Sequence, residues 1–417
     1  MFIKWVTLGV FVACYGLILW RKVKISYVSI ASAVLLVAIG ALAPKVALFE
    51  AINWNVMAIY WGFLTVSVVF AESGVPAYLA NALVRSSKTE GRALLALCVL
   101  AAVLSAFMEN VGVTLMLAPI GFAMAKAAGS SPTTYLISIA CSSNIVTTVT
   151  MIADPPALIL AEATGMKFFD FYWFQGSVGL GLISIVAVIT GLAMLYFTTL
   201  RRMRKPVNVE MERTKITALP AILFVGGIVA LGVSSSIGVP IGYIGLAVGL
   251  IALLLARKQV KKVVAEFDWH SLFYILGIFV VVGAVNNVGL LQDLATGLVQ
   301  LGVNSPTLAL VFLVWLSVAL SSFVDNVPFT MLMIPVCTHM ASAIGMANPF
   351  PLLFGVLIGT GLGGNLTPVG ATANVFACGA LEKQGYKVRL WEFMKIGALM
   401  SLTAVAVAHV LLQVLWI

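Results

Sequence analysis

Eight apolar runs, each about as long as a bilayer is thick, constrain this chain before any motif is considered. They lie at residues 2–20, 25–43, 54–73, 175–198, 217–235, 237–256, 270–291 and 394–416. A helix rises 1.5 Å per residue, so about 20 apolar residues cross the hydrocarbon core. Two further regions, 92–165 and 306–381, are apolar but broken by Gly, Pro, Asn, Asp and Glu. Only 9% of the 417 residues are charged, too few to give a soluble domain a polar surface. The pattern predicts an all-α integral membrane protein. It excludes a soluble enzyme, a secreted disulfide scaffold and a nucleic-acid binder. The five cysteines form no CxxC pair and no Walker loop is present, so neither cofactor nor metal nor ATP-driven transport within this chain is expected. The first run ends in Arg21, Lys22 and Lys24. A cleaved signal peptide carries its positive charge before the apolar run, so a retained helix is expected.

The chain repeats itself. Asn53-Trp54 and Asp268-Trp269 each begin an apolar run, and Gly62 and Gly74 match Gly277 and Gly289 at the same offset. Ser105-Ala-Phe-Met-Glu109-Asn110-Val-Gly-Val-Thr114 matches Ser321-Ser-Phe-Val-Asp325-Asn326-Val-Pro-Phe-Thr330, and Pro119 matches Pro335. Further on, Thr150 matches Thr367 and Ala153 matches Gly370. Chance apolar similarity does not align Trp, Gly, Pro and acid–Asn pairs together. The expected organisation is a first repeat over 1–200, a charged linker over 201–215 and a second repeat over 216–417. Each repeat carries one re-entrant hairpin (92–128 and 306–346) and one broken helix (130–161 and 350–381). With about ten full crossings, five per half, the second repeat is inverted relative to the first. Positive charge then sets the orientation. With the N- and C-termini outside and the linker cytoplasmic, all of the 24 Lys and Arg except Lys4, Lys45 and Lys167 face the cytoplasm.

Inverted repeats with interrupted helices are the mark of secondary transporters. Broken backbone at membrane depth has polar groups that lipid cannot satisfy, so it must line an enclosed polar cavity. Two kinds of break recur. The first is the acid–Asn pair. A carboxylate at mid-membrane costs roughly 2.5–3.5 kcal/mol, so matched acids at Glu109 and Asp325 point to proton or cation coupling. Capping of a broken helix by the same carboxylates is the competing structural role. The second is Ser142-Ser143-Asn144, Thr147, Thr150 and Asp154-Pro155-Pro156, answered by Gly364, Asn365, Thr367, Thr372 and Asn374. With Asn110, Thr114, Asn326 and Thr330, these neutral donors and acceptors are the candidate substrate or ion ligands. Amides both donate and accept, so Asn365 and Asn374 suit an oxyacid or a cation. No Lys or Arg falls within the second motif, so an anion here would be held by dipoles or a bound cation. His270 is expected at the membrane interface and His339 near the outer face. Cys141 and Cys378 border the breaks, where packing is the ordinary role of a buried thiol.

At these motifs the sequence resembles the ion transporter superfamily of arsenite/antimonite permeases, NhaD-type sodium/proton antiporters, the pigmentation P protein and divalent-anion/sodium symporters. Ser321–Thr330, Gly363-Gly-Asn-Leu-Thr-Pro-Val-Gly-Ala-Thr-Ala-Asn-Val375 and Glu382-Lys-Gln-Gly-Tyr386 are most similar to the arsenite-permease and P-protein branch. The resemblance implies a small-ion or oxyacid transporter of the cell inner membrane, arsenite/antimonite efflux coupled to protons or sodium being its first reading. A di- or tricarboxylate transporter or a sodium/proton antiporter is the second. It also implies homodimers and, for an arsenite pump, a soluble ATPase subunit as partner. The first half departs from the branch at Val146-Thr147, Ala153 and Ala157, where one of two Asn ligands is missing. A membrane-embedded enzyme using Asp154, Asp325 and Glu109 lacks any accompanying nucleophile or metal set, and a passive channel could not drive uptake against a gradient.

Overall fold

The computed structural model describes residues 2–20, 22–206 and 216–417. Arg21 of the first basic cluster and residues 207–215 of the linker lie outside the described residues. The first half carries α1 (Phe2–Trp20), α2 (Ile25–Ala38), α3 (Pro44–Val46), α4 (Trp54–Ala71) and α5 (Val75–Ser86). It continues through α6 (Glu90–Ser105), α7 (Asn110–Ala127), α8 (Thr133–Asn144), α9 (Pro155–Thr164) and α10 (Leu180–Thr198). The second half carries α11 (Ala218–Ile237), α12 (Ile241–Leu255), α13 (Val260–Glu266), α14 (Trp269–Asn287) and α15 (Leu290–Gln300). It ends with α16 (Pro306–Ser321), α17 (Asn326–Ala343), α18 (Phe350–Gly363), α19 (Thr372–Lys383) and α20 (Leu390–Trp416). Six of these helices are long and apolar enough to cross a membrane, and five shorter apolar helices accompany them.

Local chemistry recurs with the element order. Asn53 caps α4 by accepting from the Val56 amide at 3.1 Å, and Asp268 caps α14 by accepting from the Ser271 amide at 3.0 Å. Gly74 and Gly289 stand before α5 and α15 with φ of 76° and 77°, a left-handed turn that glycine adopts without steric cost. The sequence reading misses one local element. Trp173–Phe174 and Ser177–Val178 form a two-stranded antiparallel hairpin, β1 and β2. Gln175 and Gly176 both have positive φ between them, the turn geometry that matches strand twist. The apolar run expected from 175 therefore becomes helical only at Leu180.

The halves interlock. Helix α2 packs along α14 of the other half, and α12 along α4. Helices α10 and α20 pack on each other, and α8 meets α19 as α9 meets α17. Ion pairs and hydrogen bonds sort the helix ends into two groups. At one end Lys24 meets His270, Lys262 meets Glu72 at 2.6 Å, and the Thr217 amide donates to the Ser73 carbonyl. The Glu72 carboxylate raises the pKa of the Lys262 ammonium. At the other end Lys4 pairs with Asp293 at 2.5 Å, and Asn287 donates to the Ala41 carbonyl.

The α4–α12 contact depends on glycine. A Cβ on Gly62 would overlap the backbone carbonyl of Gly245, and one on Gly245 would meet the backbone of Ile59 and Ala58. Backbone cannot rotate away as a side chain can. Gly62→Ala is expected to cost about 3 kcal/mol, the upper range for overpacking. A thermal unfolding midpoint in detergent equal to that of the unaltered protein would contradict this packing.

Candidate functional site

The two hairpins meet the two broken helices in the interior. Helix α6 stops at Ser105 and α7 starts at Asn110, while α16 stops at Ser321 and α17 starts at Asn326. Each tip carries an acid at the N-cap. Glu109 accepts from the Gly112 amide at 3.0 Å, and Asp325 accepts from the Val327 amide at 3.0 Å. Both matched acids therefore cap helices whose first amides would otherwise lack partners.

Matched hydroxyls tie each tip to the break of its own half. Thr150 donates to the Ala106 carbonyl, and Thr367 donates to the Ser322 carbonyl at 2.5 Å. Thr114 and Ser143 share a hydrogen bond at 2.9 Å, and Thr330 and Thr360 repeat it at 3.5 Å. Thr114, Thr150, Thr330 and Thr367, candidate ligands by sequence, thus make hydrogen bonds within the protein in the structure.

Three amides join the two breaks. Asn144 donates to Asn365 at 3.0 Å and to Asn374 at 2.9 Å. Asn365 donates to the Cys141 carbonyl at 3.0 Å, and Asn374 donates to the Gly364 carbonyl at 3.1 Å. Asn365 and Asn374 have no solvent-exposed surface. Asn144 thus reaches the pair across the two halves, from a position their own repeat does not match.

Beside this network lies a cavity of about 260 Å³. Of the residues singled out by sequence, Glu109, Asn110, Asn144, Thr147, Asp154, Asp325, Asn326 and Thr372 line it. Thr114, Ser142, Ser143, Thr150, Thr330, Gly364, Asn365, Thr367 and Asn374 are buried or half-buried and do not line it. Neither Cys141 nor Cys378 lines it, nor does His339. Sequence reasoning missed Asp268, His270, Ser271, Tyr60 and Tyr274, which also line it, as do apolar and small residues such as Ile25 and Gly370. The available signal was the Asn53–Asp268 match, which places an acid in one repeat only.

Two features make this cavity the candidate binding site. Four carboxylates line it, and among its described lining residues there is no lysine or arginine. Asp154 begins α9 but makes no capping bond to its own helix, and it faces Asn326 of the other half. In addition, the buried oxygens of Asn110, Asn144 and Thr147 have no hydrogen-bond partner. In the second half the matching contact is closed, because Ser321 donates to Asn326 at 2.6 Å, while Ser105 and Asn110 make no such bond. Buried acceptors without donors are costly. Three such oxygens from residues that line one acidic cavity form a place for a donor or a cation.

Comparison with known proteins agrees with this architecture. Residues 15–359 match the CitMHS family model, described as "Citrate transporter". An uncharacterized transporter of Mycobacterium tuberculosis is 26% identical, covering 98% of this chain and 97% of its own. The P protein of Homo sapiens is 24% identical, covering 93% of this chain and 57% of its own. Among solved structures, the YdaH transporter of Alcanivorax borkumensis superimposes with a TM-score of 0.58 at 15% identity, over 99% of this chain and 98% of its own. MtrF of Neisseria gonorrhoeae gives 0.57 at 11% identity, over 92% and 84%.

Proposed function

Because the chain belongs to the citrate transporter family, a family of membrane transporters and not of enzymes, we propose that it carries a small carboxylate together with protons or sodium ions. The observation that carries this reading is the acidic cavity with its three unpartnered oxygens. An anion cannot enter beside Glu109, Asp154, Asp268 and Asp325 unless positive charge accompanies it. Protons on the carboxylates, or a cation on Asp154 and the neighbouring amide oxygens, supply that charge. Substrate and coupling ion then stabilise each other, which is the physical basis of coupled transport. The cavity is slightly smaller than the roughly 300–1,000 Å³ of drug-sized ligand sites, which fits a small metabolite. Arsenite, the first reading from sequence, keeps an oxyacid route through neutral donors. Its thiol-bound route has no ligand here, since no cysteine lines the cavity.

The proposal includes inverted repeats, a place in the cell inner membrane with both termini outside, and a homodimer. Purified protein in liposomes under an imposed pH or sodium gradient tests the substrate. Citrate, succinate, arsenite, antimonite and sodium are offered in turn. The expected result is accumulation of a carboxylate above its outside concentration. Accumulation of arsenite or antimonite alone would overturn the carboxylate reading.

A further inference from the structure

His270 lines the cavity where it opens to the surface, and two contacts define its state. The Lys24 ammonium lies 2.9 Å from its Nε2, and the Ser26 hydroxyl lies 2.9 Å from its Nδ1. An ammonium has only donors, so the ring nitrogen that faces it must be bare. The pair therefore exists only while the imidazole is neutral. Ser26 is buried, which fixes the ring from behind. The Tyr27 ring meets the imidazole edge to face at 6.0 Å. Lys24 comes from the turn before α2, whereas His270 belongs to α14 of the other half.

We propose that Lys24 and His270 form a proton-operated anion selector at the cavity mouth, which receives the carboxylate groups of the substrate. Protonation of His270 removes the acceptor that holds Lys24. It frees the ammonium and leaves two positive charges where there had been one. Imidazole is the side-chain class that changes charge between about pH 5 and pH 8. The charged and titratable groups facing it are Lys24 and Tyr27 from the α2 side and Asp268 on its own helix start. Around the cavity stand Glu109, Asp154 and Asp325, with the phenols of Tyr60 and Tyr274. Against four carboxylates, a mouth that becomes doubly positive on protonation draws an anion in when protons are available to neutralise the interior. The inference rests on the carboxylate reading for its ligand, but its electrostatics can be measured without any substrate.

The test introduces Ile25→Cys, a mouth position whose neighbour Ser26 contacts His270. A negatively charged and a positively charged methanethiosulfonate reagent are then compared on the same protein. Taking their rate ratio cancels the intrinsic pH dependence of the thiol. Between about pH 8 and about pH 5.5 the ratio of anionic to cationic rates should rise about five- to tenfold. With His270→Gln, which accepts from Lys24 but does not titrate, the ratio should stay flat. With Lys24→Gln the ratio should fall at every pH, because one positive charge is gone from the mouth. A full swing retained in His270→Gln, or an unchanged ratio in Lys24→Gln, would overturn the selector. For citrate transport, the KM of the unaltered protein should fall on acidification, and His270→Gln should abolish that pH dependence. If the reagent ratio behaves as expected but citrate is not carried, the selector stands and the substrate reading fails.

Discussion

Asp154→Asn is expected to reduce gradient-driven accumulation by about 100-fold or more, the lower range for a positioned proton-transfer group, while the protein remains folded and inserted. Glu109, Asp268 and Asp325 each accept from an amide at the start of their own helix. Asp154 stands at the equivalent place on α9 without such a bond, and it lines the cavity. Its carboxylate is therefore the one not committed to holding a helix end. Substrate–substrate exchange, which needs no net movement of the coupling ion, should survive the substitution. Asp325→Asn should also fold, because Asn caps nearly as well as Asp, and it should lose gradient-driven transport. Glu109→Gln should be milder. Uptake assays under imposed gradient and under exchange separate these outcomes. Unchanged accumulation in Asp154→Asn would remove Asp154 from the coupling role.

Asn144→Ala should have the largest effect on stability within the site. The Asn374 side-chain oxygen receives its hydrogen bond from Asn144, and the Asn365 oxygen receives one of its two from the same amide. Each buried acceptor left without a donor costs about 1–3 kcal/mol. The loss leaves the Asn365–Cys141 hydrogen bond as the remaining side-chain link of this network between α8 and the turn before α19. A clear fall in the unfolding midpoint in detergent is expected, together with weakened substrate affinity. A variant as stable as the unaltered protein would show that the three-amide network contributes little.

Much of this site is legible from residues alone. The acid–Asn pairs at 109–110 and 325–326 and the two broken segments stand out because polar groups are expensive inside a membrane. The repeat also anticipates detail, since Thr150 and Thr367 anchor their hairpin tips in the same way. What stayed hidden depends on packing between distant segments. His270 reads as an interfacial residue at a helix start, and only the crossing of α2 with α14 brings Lys24 onto it. Asn365 and Asn374 have the chemistry of ligands. In the structure their side-chain oxygens accept from Asn144, more than 200 residues away. Local propensity carries no information about such a partner. The β1–β2 hairpin was missed for a smaller reason: Gln175-Gly176 turns the chain within a stretch whose apolar content reads as helix.

The central claim is that the acidic cavity binds substrate and coupling ion together. The most direct measurement is ion movement driven by substrate alone. Liposomes containing the protein and a lumenal pH indicator are prepared with no imposed gradient, in sodium-free buffer and again with sodium and a sodium-sensitive dye. Substrate is then added to the outside. The account predicts lumenal acidification, or sodium entry, in step with substrate uptake, and its loss in Asp154→Asn. Substrate entry with neither proton nor sodium movement would contradict it and describe a passive pathway instead.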